Sequence, residues 1–217
     1  MSGHSPAGGG RAQNDPRGRT VYFAFRYDED RRRAEIVYAA LRARHPHDGF
    51  HLIDSSVSAQ ARALGEEQVK EAIRAGVEQS AVTCVLIGTR TWQDPWVRYE
   101  IACSVARGNG LLAVRLTGIA DPDTHEQAMP AWSPLAHLGI GKIKRSDYRL
   151  FENTSGQWNR YPSHAPALAK PAYLPDMSQG YVQPLSVGLP EYDYAAENGA
   201  QKLADWIELA AMKAGKR

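Results

Sequence analysis

The chain has 217 residues, with 26 basic and 24 acidic side chains, a formal net charge of +2 and an apolar fraction of 43%. This length and composition favour one globular domain with a sizeable core. The apolar runs are far too short to span a membrane, and the first residues lack the apolar segment of a secretory signal, so we expect a cytoplasmic protein.

The first two thirds of the chain alternate between strand and helix patterns. Residues 1–18, rich in Gly, Ser, Pro and Arg, are predicted to form a disordered tail, so that a single domain spans residues 19–217. The predicted strands are 20–25, 50–56, 81–88 and 111–116, and the predicted helices are 30–44, 65–79 and 95–107. Such alternation predicts an α/β fold, with a parallel sheet that has helices on both faces.

The order is weaker in the last third of the chain. Residues 118–195 are rich in proline and tyrosine, and they are predicted to form a long irregular insertion. A fifth strand is expected near "YVQPLSV", residues 181–187, and an amphipathic helix over 196–213. Between the second strand and the helix at 65–79, the segment "VSAQARALGEE" is predicted to be a loop.

Ligands of a parallel α/β sheet bind where the strands end, at their carboxyl edge. Three segments therefore carry candidate site residues: the end of strand one, the end of strand two and the start of the helix at 95–107. They are Phe25, Arg26, Tyr27 and Asp28, then Asp54, Ser55 and Ser56, then Trp96.

The helix at 95–107 places Trp96 and Glu100 on one line, beside its apolar stripe. An acidic residue near a helix start often serves the helix dipole alone. From the pattern by itself, a structural role for Glu100 therefore competes with a functional one.

Several other classes of site are not supported. No G-x-G-x-x-G or Walker lysine motif follows a predicted strand, and no G-x-S-x-G elbow is present. Strand three ends in "IGTRT", without the aspartate that a response-regulator receiver would need there. Cys84 and Cys103 lie in predicted core elements, and the histidines show no ligand spacing with them, so we expect reduced thiols and no metal site.

Five blocks in the same order resemble the TIR-like domains of Thoeris anti-phage systems, and more closely their ThsB type, once a domain of unknown function. They are "VYFAFRYDED", "IDSS", "VTCVLIGTRTWQDPWVRYEI", "RGNGLLAVRL" and, with weaker similarity, "YDYAAENGAQKLADWIELAA". The similarity covers residues 19–116 well and 190–212 moderately, and it does not place 118–189.

The resemblance implies a flavodoxin-like TIR fold with a central parallel five-stranded sheet. It implies that Trp96-x-x-x-Glu100 is the signature of TIR domains that cleave NAD, with Glu100 as the catalytic residue. It also implies that the strand-end residues named above, together with Trp96, bind the substrate. NAD is then a substrate, and we expect no resident cofactor.

The function implied is that of an anti-phage enzyme that cleaves the nicotinamide–ribose bond and makes a cyclic ADP-ribose-type messenger for a separate effector. The implied partners are NAD, that effector, a phage-derived trigger and further copies of the chain; we expect neither a membrane nor nucleic acid. Three alternatives stay open: a non-catalytic TIR adaptor, an NAD glycohydrolase or amino-acid-conjugating enzyme, and a nucleoside-processing enzyme such as a deoxyribosyltransferase.

Overall fold

The computed structural model describes residues 19–45, 50–145, 147–162 and 167–216. The tail predicted for residues 1–18 lies outside the described residues. In chain order, the elements are β1 (Thr20–Ala24), α1 (Tyr27–Arg44), β2 (His51–Asp54), α2 (Ser56–Ala61), α3 (Glu66–Glu78), β3 (Val82–Ile87), α4 (Pro95–Arg107), β4 (Gly110–Arg115), α5 (Pro134–His137), β5 (Leu138–Lys144), β6 (Asp147–Thr154), β7 (Gln157–Arg160), β8 (Val182–Pro184), β9 (Glu191–Asp193) and α6 (Gly199–Lys213).

Five strands form a central sheet in the order β2-β1-β3-β4-β9, and every neighbouring pair is parallel. Side chains alternate across it. Tyr22 and Ala24 pack with residues of α3 and α4, whereas Val21 and Phe23 pack with residues of α1 and α6. The predicted α/β class is therefore confirmed: a five-stranded parallel sheet with helices on both faces.

The fifth strand of this sheet is not where the sequence placed it. The segment 181–187 contains β8, which pairs with β5 in a different sheet. The fifth strand is β9, which pairs with β4 through Ala113 opposite Glu191 and Arg115 opposite Asp193. Its three residues are only partly buried, so no apolar run marks them, and an ion pair between Arg115 and Glu191 helps hold them at the edge.

A second sheet lies within the segment that composition predicted to be irregular. Its order is β7-β6-β5-β8, and all its pairs are antiparallel. One face is apolar, and Leu138, Ile140 and Leu150 on it are fully buried. Arg98 of α4 makes an ion pair of 2.6 Å with Glu152 of β6. The expectation of an irregular insertion is therefore wrong for the four strands β5, β6, β7 and β8. In β5, glycines and lysines dilute the strand pattern.

The helix α4 has the bounds that the sequence predicted. The Asp94 side chain caps its start by accepting a hydrogen bond of 2.8 Å from the backbone N–H of Trp96, and Pro95 occupies the first turn. Gly108 ends it with a φ of 70°, and its backbone N–H donates to the carbonyls of Ser104 and Val105.

Two other boundaries differ from expectation. The helix α1 begins at Tyr27 and not near Asp30, so Tyr27 and Asp28 belong to its first turn. The predicted loop after β2 contains the short helix α2, followed by a 3₁₀ turn at Arg62–Leu64. Among the helices of the described residues, none combines the length and apolar character that crossing a membrane requires.

Candidate active site

Glu100 lies inside the protein, at the carboxyl edge of the central sheet. Its side chain has no exposed surface. The Tyr22 hydroxyl donates a hydrogen bond of 2.9 Å to Oε1, and the Ser55 hydroxyl lies 3.0 Å from both carboxyl oxygens. Glu100 therefore sits in a small polar network that is enclosed by the core.

The spacing along α4 explains this burial. Glu100 lies three residues after Val97 and four before Ser104, and both of these are buried, so all three share one face of the helix. The Ser104 hydroxyl donates to the Glu100 carbonyl at 2.7 Å and lies 2.7 Å from the Thr83 hydroxyl of β3. The helix is thus fixed against the sheet, with Glu100 on its inner face and not, as predicted, beside the core.

Ser55 connects the ends of β1 and β2 to this carboxyl group. It follows β2 directly, and its Oγ accepts a hydrogen bond of 3.0 Å from the backbone N–H of Phe25. The Phe25 side chain packs on the other face of the sheet, among residues of α1. Asp54 stays beside the network, and its Oδ1 accepts from the backbone N–H of Ser56 at 2.9 Å.

Tyr22 is the network residue that the sequence did not single out. It lies in the middle of a fully apolar strand, where an aromatic residue predicts core packing and nothing more. The feature of the sequence that could have indicated Tyr22 is its hydroxyl group, because a buried tyrosine usually needs a polar partner for that group. Burial, with the negative charge of Glu100 next to it, raises the pKa of Tyr22 well above its ordinary value, so it stays a donor.

The surroundings hold Glu100 in its protonated form at neutral pH. Burial raises the pKa of Glu100 from 4.5 to about 8, although the hydrogen bonds from Tyr22 and Ser55 favour the charged form. The negative charges of Asp94 and Asp54 raise the pKa further. Perturbed carboxyl groups at strand ends are typical of functional sites, although structural networks can produce the same shift.

The raised pKa makes stability depend on pH. Between pH 4.5 and about 8 the folded state keeps a proton on Glu100 that the unfolded state releases. The contribution of this proton to the free energy of unfolding is therefore fully present below pH 4.5. It is lost as the pH rises towards 8, at up to about 1.4 kcal/mol per pH unit. We expect urea unfolding to show a steeper loss with pH for the wild type than for Glu100→Gln. Parallel pH profiles would contradict this assignment.

Trp96 lies one turn before Glu100 but faces a different space. Its ring meets the Tyr99 ring edge-on, with 6.5 Å between centroids. It lines a cavity of about 330 Å³ with residues of α3 and of the second sheet, including Lys70, Glu152 and Tyr161. Glu100 is not among the residues that line this cavity.

The remaining strand-end residues lie on the outer surface. Arg26 pairs with Glu29 at 3.2 Å. Asp28 is exposed and pairs at 2.7 Å with Arg62, which follows α2. Tyr27 and Asp28 line a separate surface pocket of about 360 Å³. The structure thus joins Phe25 and Ser55 to Glu100, keeps Asp54 beside them, and leaves Arg26, Tyr27, Asp28 and Trp96 apart; their part in substrate binding stays a prediction.

Among the described residues, no group of three or more His, Cys, Asp or Glu side chains lies close enough together to hold a metal ion. Cys84 is buried, and burial raises its thiol pKa. Burial likewise raises the pKa of Cys103 to about 11, so neither is a reactive thiolate. What the site offers is one carboxyl group with hydroxyl donors, which suits stabilisation of a cationic sugar better than metal-assisted hydrolysis.

Two comparisons find known proteins to which this chain is similar. Residues 22–121 match the family model described as "Thoeris protein ThsB, TIR-like domain". The matched range contains Tyr22, Ser55 and Glu100. The chain is also similar to the Bacillus cereus (strain MSX-D12) protein named "Putative cyclic ADP-D-ribose synthase ThsB1". The two are 28% identical over 189 residues, which cover 86% of this chain and 97% of that protein.

Proposed function

We propose that the protein cleaves the nicotinamide–ribose bond of NAD and makes a cyclic ADP-ribose-type molecule. This proposal is supported by the match of residues 22–121 to the TIR-like domain of Thoeris protein ThsB, which the sequence blocks also resemble. The observation that carries the proposal is the position of Glu100 at the carboxyl edge of the sheet, held by hydroxyl groups from two other strand segments. The name of the Bacillus cereus relative supports the same chemistry.

The reaction needs little more than one carboxylate. The bond between C1′ of the ribose and the pyridinium nitrogen breaks, and its electron pair stays with nicotinamide, which leaves as a neutral molecule. Positive charge then develops on the sugar, as in glycoside cleavage. A carboxylate at Glu100 stabilises that charge and hydrogen-bonds the ribose hydroxyls. An acceptor hydroxyl forms the new bond to C1′ and loses its proton.

Substrate can reach Glu100 only if the closed network opens. We infer that the segment from Ser55 through α2 moves, because Ser55 covers both carboxyl oxygens. The ion pair between Asp28 and Arg62 ties this segment to α1. An ion pair with an exposed carboxylate contributes little stability, so it does not prevent opening. A cationic ribose at the site favours ionised Glu100 and so lowers its raised pKa.

The acceptor decides the product. Water gives ADP-ribose, whereas a hydroxyl of the same molecule gives a cyclic isomer, and exclusion of water favours the second. The inserted second sheet supplies Glu152, and Tyr161 follows β7; both line the cavity at Trp96. We propose that this insertion shields the substrate, and that the cyclic product carries the signal of a phage-derived trigger to a separate effector.

The test is mass spectrometry of NAD incubated with the purified protein, and of lysates from phage-infected cells that express it. We expect free nicotinamide and a product isobaric with cyclic ADP-ribose. If ADP-ribose is the only product besides nicotinamide, the protein is an NAD glycohydrolase and not a cyclase. If folded protein forms no such product in either setting, the function is that of a non-catalytic TIR adaptor, which the full burial of Glu100 would also fit.

A further inference from the structure

The second sheet has an outer face that is unusual for a solvated sheet. We define this outer face by Gly139 and Gly141 of β5, Arg149 and Phe151 of β6, Trp158 and Arg160 of β7, and Val182 of β8, which the strand registers place on one side. The opposite side is buried in the core. A solvated face of an antiparallel sheet is ordinarily polar, but this one carries two large aromatic side chains.

The two aromatic rings lie against glycine backbone. A Cβ on Gly141 would stand 2.5 Å from Cε2 of Phe151, and one on Gly139 would stand 3.0 Å from Cζ3 of Trp158. The glycines therefore make the space in which the rings rest on the strand. They are two residues apart on one strand, about 7 Å. Phe151 and Trp158 are both partly exposed, which leaves surface for contact with a ligand.

Beside the rings runs a groove of about 530 Å³. This groove is lined by Gly141, Phe151, Trp158, Val182 and Tyr181. The Tyr181 side chain is 55% exposed. Its volume and its aromatic lining are typical of a site for a planar ring system.

The charge around this face is positive. Residues 138–160 contain five basic and two acidic side chains, and of the basic ones only Lys142 lies on the inner side, over the Tyr148 ring. Both acids are already engaged, Asp147 with Arg149 at 2.6 Å and Glu152 with Arg98 on the inner side at 2.6 Å. Arg160 is exposed, lies 5.9 Å from the Phe151 ring centroid, and makes no ion pair among the residues that the structure describes. The face is therefore complementary to a polyanion.

We propose that the outer face of the second sheet binds single-stranded nucleic acid. Bases stack on Trp158 and, once the Arg160 guanidinium moves from above the Phe151 ring to a phosphate, on Phe151, while the exposed Lys144 contacts a second phosphate. Two aromatic platforms favour an oligonucleotide over a mononucleotide, and a duplex would hide its base faces from both rings. This partner differs from the sequence-based expectation of no nucleic acid, because the balanced charge of the whole chain hides a positive excess that is local to one sheet.

The test is fluorescence anisotropy of a labelled single-stranded oligonucleotide titrated with the full chain at low salt, with its duplex form in parallel. We expect the single strand to bind more tightly, with affinity that falls as salt rises. Trp158→Ala is expected to weaken binding about tenfold or more, because the stacking of one base on an aromatic ring contributes about that much to the affinity. Arg160→Glu is expected to weaken binding and to reduce the salt dependence.

Two matched variants separate this site from general effects. Trp132→Ala removes another exposed tryptophan, which is 71% exposed and lies outside this face. Lys202→Glu changes the net charge as Arg160→Glu does, but on α6. Both should bind as the wild type does, and Trp158→Ala should still be folded at the assay temperature, with the moderate loss of stability expected for a half-buried ring that packs on Gly139. No binding at low salt, tighter binding to the duplex or to polyglutamate, or equal losses in the control variants would each overturn the proposal.

Discussion

Replacement of Glu100 by glutamine is expected to lower the rate of NAD cleavage by a factor of about 10² to 10³ or more. Glutamine keeps the size of the side chain and can still accept hydrogen bonds from Tyr22 and Ser55, but it cannot become negatively charged beside the ribose. The loss should therefore appear in kcat, because the charge it removes matters most when the sugar becomes cationic. Release of nicotinamide, followed by mass spectrometry, measures it.

The stability of this variant separates a catalytic role from a structural one. Since burial already disfavours the carboxylate at Glu100, the neutral amide should leave the free energy of unfolding unchanged or higher above neutral pH. Glu71→Gln, at an exposed position on α3, controls for the chemical change itself and should keep full activity. Undiminished cleavage by a folded Glu100→Gln protein would rule out Glu100 as the catalytic residue.

Replacement of Arg33 by leucine is expected to cost about 3–5 kcal/mol of folding free energy. Arg33 is 5% exposed. Its guanidinium donates to Asp30 at 3.0 Å and to the backbone carbonyls of Ile119 and Glu126 at 3.1 and 2.6 Å. It therefore holds the loop after β4 against α1. Leucine would leave the buried Asp30 carboxyl group without its charged partner, and each carbonyl would keep only a backbone donor.

The neighbouring Arg32 provides the control. It makes an even shorter ion pair, 2.6 Å to Asp123, but its side chain is 40% exposed, so Arg32→Leu should cost less than about 1 kcal/mol. Urea unfolding of both variants at neutral pH measures the difference. Burial already raises the pKa of Asp30 to about 6, and loss of Arg33 should raise it further. Similar losses in the two variants would show that Arg33 does not organise this loop.

The relation between the two sheets bears on both proposals. The inner face of the second sheet packs towards α4, the helix that carries Glu100, and the ion pair between Arg98 and Glu152 joins them. Its outer face, with Phe151 and Trp158, points away from the core. One inserted element can therefore shield the substrate on one side and bind a different partner on the other.

The sequence determined the core elements and the catalytic candidate. The strands at 20–25, 81–88 and 111–116 are almost entirely apolar, and such runs are recognisable because a strand covered by helices on both faces needs apolar side chains at nearly every position. Helix α4 has the predicted bounds, because the signals at its ends, Asp94 and Pro95 at the start and Gly108 after it, depend on no distant contact. Helical spacing placed Trp96 and Glu100 on one line, and only the family resemblance gave Glu100 a catalytic role.

The tertiary structure alone decided what surrounds Glu100 and where the last strands lie. Tyr22 is 78 residues from Glu100 and Ser55 is 45 residues from it, and no local pattern reports a contact over such a distance. The strand β9 is three polar, partly buried residues whose position comes from pairing with β4. In the second sheet, the glycines of β5 would weaken an isolated strand, but Phe151 and Trp158 from other strands pack on them.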